Sequence, residues 1–184
     1  MRVTPTPLPG VLIVEAPLFR DERGFFLEAW REDRFAEAGV PDRFVQDNQS
    51  RSVKGTLRGL HWQWRKPQAK LVRVLAGRIF DVVVDVRRGS PSFGRWFGLE
   101  MSADEFTSLY VPAGYAHGFC VLSEVADVLY KCSDVYDSGG EAGLIWNDPH
   151  VGITWPIPDP ILSPRDRQHQ GLDLSRSDLP TFPR

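Results

Sequence analysis

The sequence is poor in cysteine, nearly balanced in charge and without a long apolar run. Its two cysteines, Cys120 and Cys132, lie in apolar stretches, which favours buried free thiols in a reducing compartment. Its 22 Lys and Arg against 24 Asp and Glu argue against a nucleic-acid binder. No segment reaches the ~18–20 apolar residues of a membrane span, and the N-terminus lacks the apolar run of a signal peptide. These absences predict a cytoplasmic protein that binds neither nucleic acid nor membrane.

Glycine and proline, in contrast, are plentiful, with 16 Gly and 15 Pro among 184 residues, and they separate short apolar segments. The helical pattern is convincing only at residues 31–39, where Gly39 is a normal stop signal. Alternating or apolar segments predict strands at GVLIVEA, LVRVLAGRIFDVVVDVR (a hairpin), WFGLEMS, SLYVP, FCVLS and ADVLYKCSDVY. Many short strands with little helix predict an antiparallel sandwich or barrel.

The chain reads as one domain over residues 1–184, because it contains no internal repeat, low-complexity tract or linker. The barrel core is expected at about residues 45–135. From Pro149 onward the sequence is rich in proline, and we expect an irregular segment that wraps over the barrel or reaches a neighbouring subunit.

Two of the four histidines stand in suggestive surroundings. His61 lies in RGLHWQ, and His117 lies in PAGYAHG, which is predicted as a loop; His150 and His169 lie in polar stretches and are predicted at the surface. The pattern PxGxxH after GxHxQ resembles the two motifs of the cupin superfamily of small jelly-roll barrels. Metal-dependent cupins use HxH with a Glu and a further His, whereas Gln63 replaces the second His here. The donor set therefore predicts a site without metal.

Eight ordered blocks narrow the resemblance from about Val11 to Arg167: RDERGFFLE, FVQDNQSRS, TLRGLHWQ, QAKLVRVLAGRIFDVVVDVRRGSPSFGRW, YVPAGYAHGF, LYKCSDVY, IWNDP and ILSPRDR. Together they resemble the dTDP-4-dehydrorhamnose 3,5-epimerase family. The resemblance implies an all-β, cupin-type jelly-roll barrel of antiparallel strands with a few short helices. It also implies a homodimeric, cofactor-independent isomerase that inverts C3 and C5 of a dTDP-4-keto-6-deoxyhexose in dTDP-L-rhamnose biosynthesis.

Inversion of a carbon beside a ketone needs a base on one face, an acid on the other and positive charge for the developing enolate. Histidine is a natural base near neutral pH. By resemblance, His61 is the base and Asp166 is the carboxylate that orients it. Tyr130 matches the acid on the opposite face, and Lys70 matches the cation near the C4 oxygen.

The resemblance also implies a set of side chains that bind the nucleotide sugar. Guanidinium groups suit a diphosphate because they offer planar, paired donors, and an aromatic ring can stack on thymine. The arginines assigned to this task are Arg23 and Arg58, and Tyr136 is the stacking ring. The complete set is Arg23, Phe26, Glu28, Gln46, Asn48, Arg58, His117, Tyr136, Glu141 and Arg165.

Three other functions remain open from the sequence. A relative that inverts only C3 or only C5 shares the same motifs, although Tyr130 favours the double epimerase. A metal-dependent cupin would need bound iron or manganese, and Gln63 argues against it. A non-catalytic nucleotide-sugar binding module would tolerate loss of the acid and base residues. Trp62 and Trp64 make HWQW bulkier than the family form, and the SDVYDSGGEAG loop also departs from it, so the pocket wall can differ.

Overall fold

The computed structural model describes residues 1–182; positions 183 and 184, which end the predicted 1–184 domain, lie outside the described residues. The described chain is built mainly from short antiparallel strands, with a six-residue α-helix and a short 3-10 helix. The elements are β1 (Arg2–Pro5), β2 (Leu12–Glu15), β3 (Leu18–Asp21), β4 (Gly24–Leu27), α1 (Glu32–Glu37), β5 (Gln46–Val53), β6 (Leu57–Gln63), β7 (Lys70–Ala76), β8 (Arg78–Asp85), β9 (Trp96–Ser102), β10 (Thr107–Val111), β11 (Tyr115–Val121), β12 (Val125–Cys132), β13 (Glu141–Gly143) and the 3-10 helix (Asp166–Gln168).

Two sheets face each other. The six-stranded sheet has the order β1-β2-β10-β7-β12-β5, and the five-stranded sheet has the order β13-β6-β11-β8-β9. All strand pairs in both sheets are antiparallel. This arrangement confirms the predicted cupin-type jelly-roll barrel. Strands β3 and β4 form a separate hairpin.

The main core lies between the sheets, where alternate residues of each strand point inward. Val72 and Val128 of the six-stranded sheet pack in one cluster with Val83 and Phe119 of the five-stranded sheet. Each buried side chain of this size contributes about 1.5–3 kcal/mol of transfer free energy. Strand β8 is buried on both faces, because Val82 belongs to a second cluster under the C-terminal segment. The largely apolar sequence of β8, interrupted by Asp81, therefore follows from its central place.

The helix predicted at residues 31–39 is present as α1, and Gly39 beyond its end has a φ of +95°, which explains why glycine stops it. The loop predicted at PAGYAHG is wrong after its first residues, because Tyr115 begins β11. That strand pairs with both β6 and β8, and these two ladders outweigh the local turn signals of its glycines. The segment after Pro149 is irregular except for the 3-10 helix, as predicted. Within residues 1–182, no helix is long and apolar enough to cross a membrane.

Candidate active site

Between the two sheets lies a cavity of about 300 Å³ with a polar lining. A smaller pocket adjoins it and shares His61, Lys70, Tyr130 and Glu141. The larger cavity is lined by Ser50, Arg58, His61, Lys70, His117, Gly118, Phe119, Tyr130, Glu141, Ser163, Arg165 and Asp166. The smaller adds Gln46, Asn48, Trp62, Gln63, Gln68 and Tyr136. All four residues predicted to be catalytic therefore meet at one site.

Strand register explains why these side chains converge. In the five-stranded sheet, His61 of β6 stands opposite His117 of β11. In the six-stranded sheet, Tyr130 of β12 stands opposite Asn48 of β5. Lys70 begins β7 opposite Cys132, two residues beyond Tyr130 and therefore on the same face. The predicted base and the predicted acid thus lie on different sheets and approach the cavity from opposing walls.

His61 and Asp166 form a close pair. The Nε2 of His61 lies 2.6 Å from Oδ1 of Asp166, whose side chain is only 6% exposed. The 3-10 helix places this carboxylate, and its first backbone N–H donates to Ser163 Oγ at 3.0 Å. Burial alone would raise the pKa of Asp166, but the contacts from His169 and His61 outweigh it and hold the pKa below its ordinary value. The charged carboxylate fixes the proton on Nε2 and leaves Nδ1 of His61 to accept another.

Tyr130 stays protonated to a higher pH than an ordinary tyrosine. Burial is the main reason that its pKa lies above the ordinary value, because the cavity wall disfavours a phenolate. A phenol that stays protonated across the neutral and alkaline range can donate to a carbanion. Tyr130 therefore has the ionisation state that an acid needs.

Lys70 shows the opposite shift. Burial lowers its pKa, since desolvation penalises the ammonium, although Cys132 and Glu141 oppose the effect. Among residues 1–182 no carboxylate forms an ion pair with Lys70. Its charge is thus directed at the cavity, where it can pair with an anionic oxygen.

His117 forms a second buried pair, with a partner that the sequence analysis did not identify. Its Nε2 lies 2.9 Å from each carboxylate oxygen of Asp81 on the neighbouring strand β8, and both side chains are buried. Asp81 interrupts the apolar run IFDVVVDV, and a charge in such a run is a signal that could have indicated a buried partner. The pair fixes the orientation of the His117 ring beside the cavity.

A polar network surrounds the smaller pocket. Gln46 Nε2 donates to Asn48 Oδ1 at 3.0 Å, and Gln46 Oε1 accepts the backbone N–H of Tyr136 at 2.9 Å. The hydroxyl of Tyr136 donates to Glu141 Oε2 at 2.6 Å, and Arg165 Nη1 lies 2.6 Å from the same oxygen. Tyr136 is 52% exposed, so part of its side chain is accessible to a ligand. The structure thus brings five predicted binding residues together.

Arg58 also reaches this site, where it lines the larger cavity and donates from Nε to Ser52 Oγ at 2.9 Å. Its other guanidinium donors remain for an anionic ligand. Like Arg165, it lines the cavity and is itself exposed to solvent.

Three predicted binding residues are not among those that line either pocket. Arg23 lies in the turn between β3 and β4, where it pairs with Asp21. Phe26 lies on β4 and is 69% exposed. Glu28 faces the helix region, with Oε1 3.2 Å from Arg34 Nη1. Within a single chain these side chains form a separate surface, and their binding role stays a prediction.

The surface prediction for His169 is wrong. Its side chain is only 11% exposed, and its Nε2 lies 3.3 Å from Oδ1 of Asp166. The polar run RDRQHQG gave no sign of this, because the burial comes from contacts with a distant strand. His150, by contrast, is 86% exposed, as predicted.

The donor atoms of His61, Asp166 and His169 lie within 4.8 Å of one another, which raises the question of a metal. Two ligands of a tetrahedral zinc ion, each at about 2.0–2.1 Å, stand roughly 3.3 Å apart. The separation of 2.6 Å between His61 and Asp166 is instead that of a charge-assisted hydrogen bond. The arrangement therefore favours a proton-transfer pair.

The barrel and its cavity together define a cupin-type protein with an ionisable site, in which His61 and Tyr130 lie on opposing walls and Lys70 lies on the same sheet as Tyr130. The sequence model of the dTDP-4-dehydrorhamnose 3,5-epimerase family matches residues 5–173. The chain belongs to this family of isomerases.

Several characterised relatives resemble the whole chain. The dTDP-4-dehydrorhamnose 3,5-epimerase of Pseudomonas aeruginosa is 48% identical over 185 residues, covering 100% of both chains. A dTDP-4-dehydrorhamnose 3-epimerase of Streptomyces niveus is 41% identical and covers 99% of this chain and 90% of its own. The crystal structure of the Legionella pneumophila dTDP-6-deoxy-D-glucose-3,5-epimerase, in complex with dTDP-4-keto-L-rhamnose, has a TM-score of 0.96 at 45% identity and covers 100% of this chain and 99% of that one.

Proposed function

We propose that this chain converts dTDP-4-dehydro-6-deoxy-α-D-glucose to dTDP-4-dehydro-β-L-rhamnose by epimerisation at C3 and C5, a step of dTDP-L-rhamnose biosynthesis. One observation carries the proposal: the His61–Asp166 pair and Tyr130 face one cavity from opposing sheets, with Lys70 beside them. The similarity to relatives that act on this class of sugar nucleotide supports the choice of substrate.

The proposed chemistry moves one proton off and one proton on at each carbon. Nδ1 of His61 takes the proton from the carbon next to the C4 ketone, and the electron pair of the C–H bond moves onto the C4 oxygen as an enolate. Lys70 stabilises that oxygen by its charge. Tyr130 then gives a proton to the opposite face of the carbon, which inverts it. Both C3 and C5 adjoin the ketone, so the same groups serve twice. Between the two inversions the sugar ring reorients, His61 releases its proton to solvent and Tyr130 takes a proton up from solvent.

The nucleotide part of the substrate is proposed to bind at the polar end of the site. Arg58 and Arg165 offer guanidinium donors to the diphosphate. Tyr136 offers an exposed ring for the thymine, and Gln46 and Asn48 supply neighbouring amide groups. This binding energy holds the ketone against the base and acid, where orientation accounts for much of the rate.

We also propose that the protein works as a cytoplasmic homodimer. The β3–β4 hairpin exposes the paired Phe19 and Phe26 on one face, and exposed aromatic side chains of this kind are typical of an interface. A hairpin that extends to the partner subunit would bring Arg23 and Phe26 to a nucleotide, as the family resemblance requires. A size measurement at micromolar concentration tests this, and a monomer would reject it. The free thiols of Cys120 and Cys132 suit a reducing compartment.

The decisive experiment follows isotope exchange. Chelator-treated protein is incubated with dTDP-4-dehydro-6-deoxy-D-glucose in deuterium oxide, and proton NMR is recorded over time. We expect deuterium at both C3 and C5, no exchange in His61→Ala, and normal exchange in the control His150→Ala, whose side chain is exposed. Absence of exchange in the unaltered protein would overturn the proposal.

A single-carbon epimerase is the second candidate. The 41% identity to the Streptomyces niveus 3-epimerase, over nearly the full chain, is the observation that favours it. The same spectra decide between the two, because deuterium at C3 alone would select the monofunctional activity.

A further inference from the structure

His169 lies against the catalytic pair without a role in the proposed chemistry. Its Nε2 is 3.3 Å from Oδ1 of Asp166, the oxygen that also holds His61 at 2.6 Å. Its ring stands edge-on to the ring of His61, with centroids 5.3 Å apart and planes at 80°. Among residues 1–182 this buried Nε2 has no well-aligned hydrogen-bond partner, although the carboxylate of Asp166 lies close to it. A buried ring nitrogen in this position needs an explanation.

The fold builds a specific place for this ring. Gln170 bridges to Leu144, and its carbonyl accepts the backbone N–H of Ile145 at 3.0 Å, which fixes the chain directly after His169. The 3-10 helix ends directly before it, at Gln168. Gly143 of β13 forms the floor, since a Cβ there would collide with the imidazole ring. Gly143 also pairs directly with His61 in the sheet. The position of His169 is therefore defined by the same strand pair that carries the base.

We propose that His169 is a positioning residue that acts through Asp166, sharing its carboxylate with His61 and thereby keeping His61 neutral and ready to accept a proton. This inference rests on the proposed function, in which His61 is the base. An N–H of His169 directed at Oδ1 weakens that oxygen as an acceptor for His61. If His169 carries a charge, it also repels a protonated His61. Both effects operate when Nε2 of His169 carries a proton, and both lower the affinity of His61 for a second proton.

Other charged groups around the pair are fixed by partners of their own. Glu141 is held by Arg165 at 2.6 Å, and its pKa is below the ordinary value because these contacts outweigh the effect of burial. Arg176 of the C-terminal segment donates to the carbonyl of Gly143 at 3.0 Å and pairs with Asp178. The contacts described for Glu141 and Arg176 do not include the side chain of residue 169, so we expect two variants at this position to share the same background.

The test compares His169→Met with His169→Gln, which have similar length and differ in the donor. The measured quantity is kcat/KM for deuterium exchange as a function of pH. In His169→Met the acidic limb should move up by about half a pH unit or more, because the polar contact of residue 169 with the carboxylate, 3.3 Å in the unaltered protein, is lost. In His169→Gln, whose Nε2 can replace the donor, the limb should return to the wild-type position. Equal shifts in both variants, or a shift in neither, would overturn the proposal and leave His169 as a space-filling side chain.

A second measurement needs no substitution in the core and no substrate. The imidazole Cε1–H resonances of His61 and His169 are followed by NMR in the unaltered protein during a pH titration. Because the two rings share one carboxylate, each resonance should show a step at the midpoint of the other. Independent single-step curves would overturn the proposal. Coupled titration together with an absence of isotope exchange on the sugar would support the shared carboxylate and contradict only the proposed function.

Discussion

Substitution of Asp166 by Asn removes the charge of the pair while keeping its shape. The carboxylate lies 2.6 Å from His61 Nε2 with its side chain 6% exposed, so water has little room to replace it. Asn can still accept the N–H of His61 through its oxygen, but it cannot stabilise the imidazolium that forms when the base takes a proton.

The magnitude follows from the lost charge. A hydrogen bond to a charged group contributes about 1.5–3 kcal/mol, and every ~1.4 kcal/mol in the barrier changes the rate tenfold. Asp166→Asn should therefore lower kcat for exchange by roughly 10- to 150-fold. Affinity for dTDP should change little, because Asp166 does not face the nucleotide part of the site.

The assay measures initial deuterium exchange at saturating substrate, with dTDP affinity determined separately by calorimetry. Asp148→Asn is a matched control, since Asp148 is another buried carboxylate that accepts backbone N–H groups of His150 and Leu172 away from the cavity. A loss of less than threefold in Asp166→Asn, or an equal loss in the control, would refute the reasoning that the charge of Asp166 supports the base.

Three further predictions concern the remaining groups. Tyr130→Phe should reduce net inversion by about 100-fold while deuterium exchange falls much less, since deprotonation uses the other face; equal losses would contradict the acid role. Burial lowers the pKa of Lys70, so its charge is lost as the pH rises through a value below the ordinary ~10.4. Lys70→Arg should therefore move the alkaline limb of kcat to higher pH. An unmoved limb would mean that another group causes it. Arg58→Ala should weaken dTDP binding about tenfold, and unchanged affinity would remove Arg58 from the diphosphate site.

Local patterns predicted the strands well where periodicity is strong. Alternating apolar residues correctly predict β7 and β8 as strands on either side of a glycine turn. The hairpin predicted there is wrong, because β7 pairs with β10 and β12 in one sheet and β8 pairs with β11 and β9 in the other. The first part of β11 was predicted as a loop because Pro112 and Gly114 dominate its local signal. Pairing with strands on both sides makes it a strand, and such pairing joins residues that are far apart in the sequence.

Chemistry was easier to predict than burial at the site. The resemblance to the family assigns a base, an acid and a cation to His61, Tyr130 and Lys70, but the default expectation for an isolated lysine on a strand is exposure. Only the register of β7 against β12 turns Lys70 inward beside Cys132, and no local pattern contains that register.

Asp81 and His169, which the sequence analysis did not assign to the site, differ in how clearly the sequence indicated their burial. Asp81 breaks an apolar strand, so its burial was visible in the sequence, and only its partner His117 on the neighbouring strand was hidden. His169 gave no such signal, because its neighbours are polar and its burial depends on Gln170 pairing with Leu144 and on the missing side chain of Gly143. Identical polar runs would be solvated in another fold. A residue of this kind becomes a functional candidate only when the structure shows which carboxylate it faces.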